Sequence, residues 1–241
     1  MSLNAKFLVL FMLVGFTALA QESQKPKVYR PDIPGNFLID IGFNGVVDNP
    51  TNFGIGWFGS HSINLYYYYP IRLGKSKFSF TPGIGLGLDR FKFKKAYYVA
   101  DTLRDGAFEM VANFRKDSTV FKGLKKSFLG QQYLDVPLEF RFNANPDDLA
   151  RTFWVAVGGR VGLLYNPYTK IKGKENGEKY VYKNKFNHGQ SDFRYGPSLR
   201  VGIGNFNWFG FYNLSPLFAK DKGPDKTTMT TFTVGISIIG L

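Results

Sequence analysis

The sequence predicts an all-β fold: an eight-stranded antiparallel up-and-down transmembrane β-barrel with short periplasmic turns and longer extracellular loops. Three observations predict it. The first is residues 132–142, QYLDVPLEFRF. Leu134, Val136, Leu138, Phe140 and Phe142 are apolar, whereas Tyr133, Asp135, Pro137, Glu139 and Arg141 are mostly polar. Such alternation gives a strand one apolar and one ionic face. About 9–11 tilted residues of strand cross a bilayer's hydrocarbon. The second observation is composition. Aromatic residues make up 17% of the 241 and glycines number 27, which suits strands better than helices. Beyond the N-terminus no apolar run approaches the roughly 18 residues of a spanning helix. In lipid only helices and closed barrels satisfy every backbone group. The third is the parity of the connections, which emerges from the elements in order.

Residues 36–47 form the first strand, with Phe37, Ile39, Ile41 and Phe43 on one face and Asp40, Gly42 and Asn44 on the other. A loop follows at 48–57, marked by Asn49-Pro50. The second strand, 58–71, sets Ile63, Leu65, Tyr67 and Tyr69 against Ser62, Asn64, Tyr66 and Tyr68. Residues 73–77 make a short turn. The third strand, 78–93, alternates Phe78, Phe80, Ile84, Leu86 and Leu88 with Ser79, Thr81, glycines and Asp89. Residues 94–130 read as a long polar connection. The 132–142 strand comes next and ends in a short turn at 143–151. Pro137 is its discordant residue: it cannot donate to a ladder, so a bulge or a missing hydrogen bond is expected there.

The fifth strand, 152–165, opposes Phe153, Val155, Val157, Val161 and Leu163 to Ala156, Gly158, Arg160 and Gly162. Residues 166–190 read as a lysine-rich loop. The sixth strand, 192–204, turns Phe193, Tyr195, Leu199, Val201 and Ile203 away from Arg194, Gly196, Ser198, Arg200 and Gly202. After a turn near Asn205, residues 206–217 form the seventh, whose aromatics on both faces leave its phase open. A loop at 218–227 precedes the eighth, 229–241, with Phe232, Val234, Ile236 and Ile238 on one face. Connections after strands one, three, five and seven are longer and lysine-rich, and those after two, four and six are short. Outer-membrane barrels show this asymmetry.

Residues 1–20 read as a secretory signal peptide: Lys6, an apolar run at 7–16, and the Ala18-Leu19-Ala20 cleavage motif. Residues 21–35, with three prolines, form a periplasmic lead-in, and 36–241 the barrel domain. The net charge is +13. Export removes nucleic acid as a partner and leaves outer-membrane lipid, lipopolysaccharide and acidic polysaccharide. Lys122, Lys125, Lys126, Lys170, Lys172 and Lys174 are the candidate contacts. Aromatics at 66–69, with Tyr165, Tyr168, Phe206, Trp208 and Tyr212, are expected at the interfacial girdles.

A spanning barrel turns its apolar face to lipid. The inward set then includes Asp40, Asp89, Asp135 and Glu139 against Arg141, Arg160, Arg194 and Arg200. These are expected to pair across a packed lumen, since an unpaired charge there would cost several kcal/mol. Catalytic chemistry finds little support. No cysteine is present, and the two histidines are isolated, so no metal or other cofactor is expected. His61 has Ser60 and Ser62 beside it, but adjacent strand residues face opposite ways. His188 reads as a solvated loop residue. A non-enzymatic monomer is expected, with a lipid A-modifying enzyme using His61 as the rival.

The segment FLGQQYLDVPLEFRF resembles the Tyr-Leu-[Asp/Glu]-[Ile/Val]-Pro-Leu strand of the PorT-like outer-membrane β-barrel family of Bacteroidetes. The glycine-spaced strand at 193–204, the Tyr212–Phe218 segment and Lys222-Gly223-Pro224 agree with it. The resemblance implies an outer-membrane barrel. It also raises a role in a type IX secretion or gliding assembly, with other outer-membrane or periplasmic proteins as partners.

Overall fold

The computed structural model describes residues 35–48, 54–94, 97–104, 107–116, 122–149, 151–223 and 228–240; from 100 to 116 only the backbone is described. The signal peptide expected at 1–20, the lead-in before Gly35 and the terminal Leu241 lie outside the described residues.

Eight strands close a barrel. They are β1 (Asn36–Val47), β2 (His61–Tyr68), β4 (Phe78–Lys92), β7 (Leu124–Asn143), β8 (Phe153–Leu164), β11 (Phe193–Ile203), β12 (Phe206–Tyr212) and β13 (Thr230–Ile239). Each pairs antiparallel with its neighbour in the chain, and β13 returns to β1 with Ile41 opposite Ile236. The seam therefore closes, and the barrel wall has no free edge. Its outward residues form an exposed apolar band that includes Ile41, Ile63, Leu86, Leu134, Val157, Leu199 and Val234. Water does not tolerate so wide an apolar belt, and lipid does.

Five further strands modify the expected plan. β3 (Ile71–Arg72) is a short strip beside β4. The connection at 94–130 is not structureless: it holds a hairpin of β5 (Tyr97–Arg104) and β6 (Ala107–Lys116), and β7 starts at Leu124 rather than 132. The loop at 166–190 holds a second hairpin, β9 (Tyr168–Glu175) and β10 (Glu178–Asn184). It turns at Asn176-Gly177, both with positive φ (48° and 92°), as a two-residue hairpin loop requires. β9 pairs with the upper part of β7, so the wall continues beyond the apolar band on this side. The lysines disguised β9. Lys170, Lys172 and Lys174 occupy one face, while Thr169, Ile171 and Gly173 are buried on the other.

Smaller differences follow from packing. The second strand is shorter than expected, because Trp57–Gly59 forms a 3-10 turn and Pro70 ends the ladder. The open phase of the seventh strand is resolved: Phe206, Trp208 and Tyr212 face out, and Phe209 and Phe211 face in. Pro137 makes no bulge. The register against β4 is the same on both sides of it, with Pro82 opposite Leu138 and Gly85 opposite Asp135, and the pairing lapses only between them. On the β8 side Pro137 stays in register opposite Arg160.

The interior has three layers. Near the short turns sit Leu38, Tyr66, Tyr68, Trp154, Ala156 and Ile239. At the loop end Phe91, Phe93, Leu129, Leu217, Phe218 and Met229 form an apolar stopper. The charged side chains lie in the barrel below the stopper and interleave with the short-turn layer, where Tyr66 and Tyr68 reach Asp135 and Glu139.

Candidate functional site

Two places concentrate chemistry: the lumen and the outward face above the apolar band. In the lumen, period-two geometry turns Asp40 of β1, Asp89 of β4, Asp135, Glu139 and Arg141 of β7, Arg160 of β8 and Arg194 and Arg200 of β11 inward. The structure brings all eight into two linked groups. In the upper group Arg194 is bidentate to Asp135, donating from Nε at 2.9 Å and also from Nη2, while its Nη1 donates to Asp89. Arg160 lies 3.9 Å from Asp135. In the lower group Arg200 is bidentate to Asp40 at 2.7 and 2.9 Å, and its Nε donates to Glu139 at 2.7 Å. Arg141 lies 3.8 Å from Glu139.

Aromatic residues complete both groups, and these were not anticipated as lumenal partners. Tyr66 and Tyr68, expected at a membrane girdle, are buried in the lumen. Tyr66 donates to Asp135 at 2.7 Å and accepts from Arg160 Nη1; Tyr68 donates to Glu139 at 2.7 Å. The signal was their phase, shared with Ser62 and Asn64. Each arginine also lies over an aromatic ring: Arg194 over Tyr133 at 4.0 Å, Arg160 over Phe211 at 3.7 Å, Arg141 over Trp154 at 4.2 Å and Arg200 over Phe209 at 5.3 Å. Guanidinium on a ring is favourable when both are desolvated. The gap left among Tyr66, Pro137, Arg160, Ser198 and Arg200 is about 10 Å³, roughly the space of one water molecule.

The candidate lysines are placed unevenly. Lys122 is exposed in the turn before β7, where its carbonyl accepts from Tyr180. Lys125 sits at a register shift in β7. Lys126 opposes Lys172, Lys174 opposes Lys179 and Lys170 opposes Lys183, so these side chains share one face of the β7–β9–β10 sheet.

His61 faces outward, opposite Arg90. Ser60 Oγ donates to the Gly56 carbonyl and accepts from the Lys92 amide, and Ser62 Oγ points inward and donates to Asn64. Neither hydroxyl meets His61. His188 is buried rather than solvated: its ring packs edge-on to Phe186 and lies 3.5 Å from Thr169 Oγ1. Among the described residues no cluster of three His, Asp or Glu side chains is placed to hold a metal ion.

Solved structures that resemble the chain include two of Ail, the attachment invasion locus protein of Yersinia pestis. One is the protein alone, 14% identical, with TM-score 0.38. The other is in complex with the heparin analogue sucrose octasulfate, also 14% identical, with TM-score 0.34. Each comparison covers 86% of this chain and 99% of that one. No curated protein sequence matches. The model of the outer membrane protein beta-barrel domain matches residues 20–216, most of the chain. The closed eight-stranded barrel with its apolar belt is thus an outer-membrane protein, and the chain belongs to the outer membrane protein beta-barrel domain family.

Proposed function

We propose that this chain is a non-enzymatic, monomeric outer-membrane protein with a structural and interaction role. Its lumen is a packed, charge-paired core, and it works through its outer surface. The carrying observation is the filled centre of the lumen, where the gap among Tyr66, Arg160 and Arg200 is about 10 Å³ and an apolar stopper lies above. The occupied hydroxyls of Ser60 and Ser62 support the non-enzymatic part. In this reading residues 1–20 direct export and the lysines of the outer face meet lipopolysaccharide or another anionic saccharide. The Tyr133–Leu138 strand supports a place among PorT-like members from Bacteroidetes. The test is electrical. Refolded protein in planar bilayers should give no unitary conductance, and a sustained conductance step would defeat the sealed core. Unchanged lipid A composition on expression of His61→Ala against the original chain is expected, and a difference would restore the enzyme.

One observation favours a second reading. The β5–β6 hairpin forms its own two-stranded sheet, unpaired with the barrel. Such a hairpin suits a partner in a secretion or gliding assembly. Cross-linking from this hairpin should then capture one stable partner.

A further inference from the structure

The outward wall changes character along one line across neighbouring strands. On β2 it reads Tyr67, Leu65, Ile63 and then His61; on β4 it reads Leu86, Leu88 and then Arg90 and Lys92. Register joins these levels, since Ile63 opposes Leu88 and His61 opposes Arg90. On β7 the band ends at Leu134, and Gln132 opposes Leu88. Above it Arg90 lies over the Phe128 ring at 3.7 Å, and Lys126 follows. β9 and β10 widen this face with three cross-strand lysine pairs. Like charges directly opposite destabilise a sheet. Arg90, Lys92, Lys126, Lys172 and Lys179 form no ion pair among the described residues. Lys125, Lys126, Lys172 and Lys179 instead surround an open concavity of about 280 Å³ with Tyr180 and Val181.

The belt is one-sided. At the same end the outward residues of β11, β12 and β13 are Phe193 and Tyr195, Tyr212, and Phe232 and Thr230. A cationic face used only to seat the barrel in an anionic leaflet would have no reason to avoid half the wall. Its direction identifies the occupant. The face continues the lipid-facing wall, so it points sideways into the leaflet and not up into the medium. It begins one register step above the apolar band, about 7 Å along the strands. Headgroup phosphates lie in that layer, and lysine ammonium and arginine guanidinium groups bind them through charge-assisted hydrogen bonds.

We propose that Arg90, Lys92, Lys126, Lys172 and Lys179 bind the phosphorylated saccharide headgroup of an outer-leaflet lipid, holding it against one side of the barrel. This rests on the reading that the basic outer face meets an anionic ligand, and it names the source and the side. The test titrates refolded protein in micelles with diphosphorylated lipid A, dephosphorylated lipid A and dextran sulfate. The variant is Lys126→Gln/Lys172→Gln/Lys179→Gln, with Lys75→Gln/Lys77→Gln/Arg151→Gln at the opposite end as the charge-matched control. The expected result is preferential binding of the phosphorylated lipid, weakened at least about tenfold in the triple variant and unchanged in the control. Equal binding by both proteins overturns the site. Equal loss in the control overturns it too, because bulk charge is then the cause. Tighter binding of dextran sulfate than of lipid assigns the face to a soluble polyanion and overturns the lipid source. Conductance, measured separately, bears on the sealed core alone.

Discussion

The Tyr66 hydroxyl donates a 2.7 Å hydrogen bond to Asp135 across the lumen, and two residues along β2 Tyr68 repeats the arrangement with Glu139. Each carboxylate also meets an arginine of β11, Arg194 or Arg200, through at least one contact of 2.9 Å or less. The lumen is thus a tyrosine–carboxylate–arginine unit used twice, one level apart. The repeat follows from strand geometry. Residues 66 and 68, 135 and 139, and 194 and 200 all differ by even numbers, so each pair shares a face. Four carboxylates and four guanidiniums share this interior, and none of the eight is left without an opposite charge within 4 Å.

Removing one hydroxyl tests the unit. Tyr66→Phe keeps the ring but takes one donor from Asp135 and one acceptor from Arg160. A buried hydrogen bond to a charged group contributes about 1.5–3 kcal/mol, so the urea midpoint in micelles should fall. Tyr67→Phe, on the outward face, should leave it nearly unchanged. A midpoint for Tyr66→Phe equal to that of Tyr67→Phe would mean that the tyrosine only fills space.

Breaking a pair should cost more than removing it. Asp135→Asn leaves Arg160 without a carboxylate and Arg194 with Asp89 alone, and a buried charge stripped of its partner costs about 3–5 kcal/mol. Arg194→Met removes that charge in turn. The double variant should therefore be less destabilised than the two single changes added together, by about 1–3 kcal/mol. Strict additivity in equilibrium unfolding would show that the two groups do not interact energetically.

The outward faces of β1, β4, β8 and β11 were legible because, through the apolar band, large apolar residues alternate there with small or polar ones; the pattern breaks only toward the strand ends, at Leu38, Trp154 and Arg90–Lys92. Legibility failed where polarity stops marking the face. In the run Tyr66-Tyr67-Tyr68 inward and outward residues are identical, and only the phase of Ser62 and Asn64 separates them. In β12 the inward positions after Asn207 are Phe209 and Phe211, which lie under the arginines of other strands. In β9 the outward positions after Tyr168 are Lys170, Lys172 and Lys174, and such a lysine run resembles a loop. Which arginine meets which acid was out of reach. Arg200 and Asp40 lie 160 residues apart, and their meeting depends on the stagger of the closed barrel.

Room for Arg194 comes from a missing side chain. A Cβ at Gly87 would stand 1.9 Å from Arg194 Nη2 and 2.6 Å from Asp135 Oδ2. Both groups are held on several sides, so neither can retreat freely. Gly87→Ala should destabilise the barrel by about 1–3 kcal/mol through overpacking. Gly210→Ala, where a Cβ meets nothing within 4 Å, is the matched control. The two urea midpoints should differ, and equal values would show that Arg194 can shift at no cost.

Among the described residues the β9–β10 hairpin joins the barrel's sheet through β7 alone, so its stability should be separable from that of the wall. Gly177 carries the turn at φ 92°, where a β-branched side chain is strained. Gly177→Val should loosen the hairpin while the barrel stays closed. Amides of residues 168–184 should lose hydrogen-exchange protection, whereas those of β8 and β11 should keep it. The boiled and unboiled forms should still migrate differently on a denaturing gel. Loss of protection throughout the wall would instead mean that hairpin and barrel unfold together. The lysine face would then be part of the barrel's cooperative unit rather than an extension built upon it.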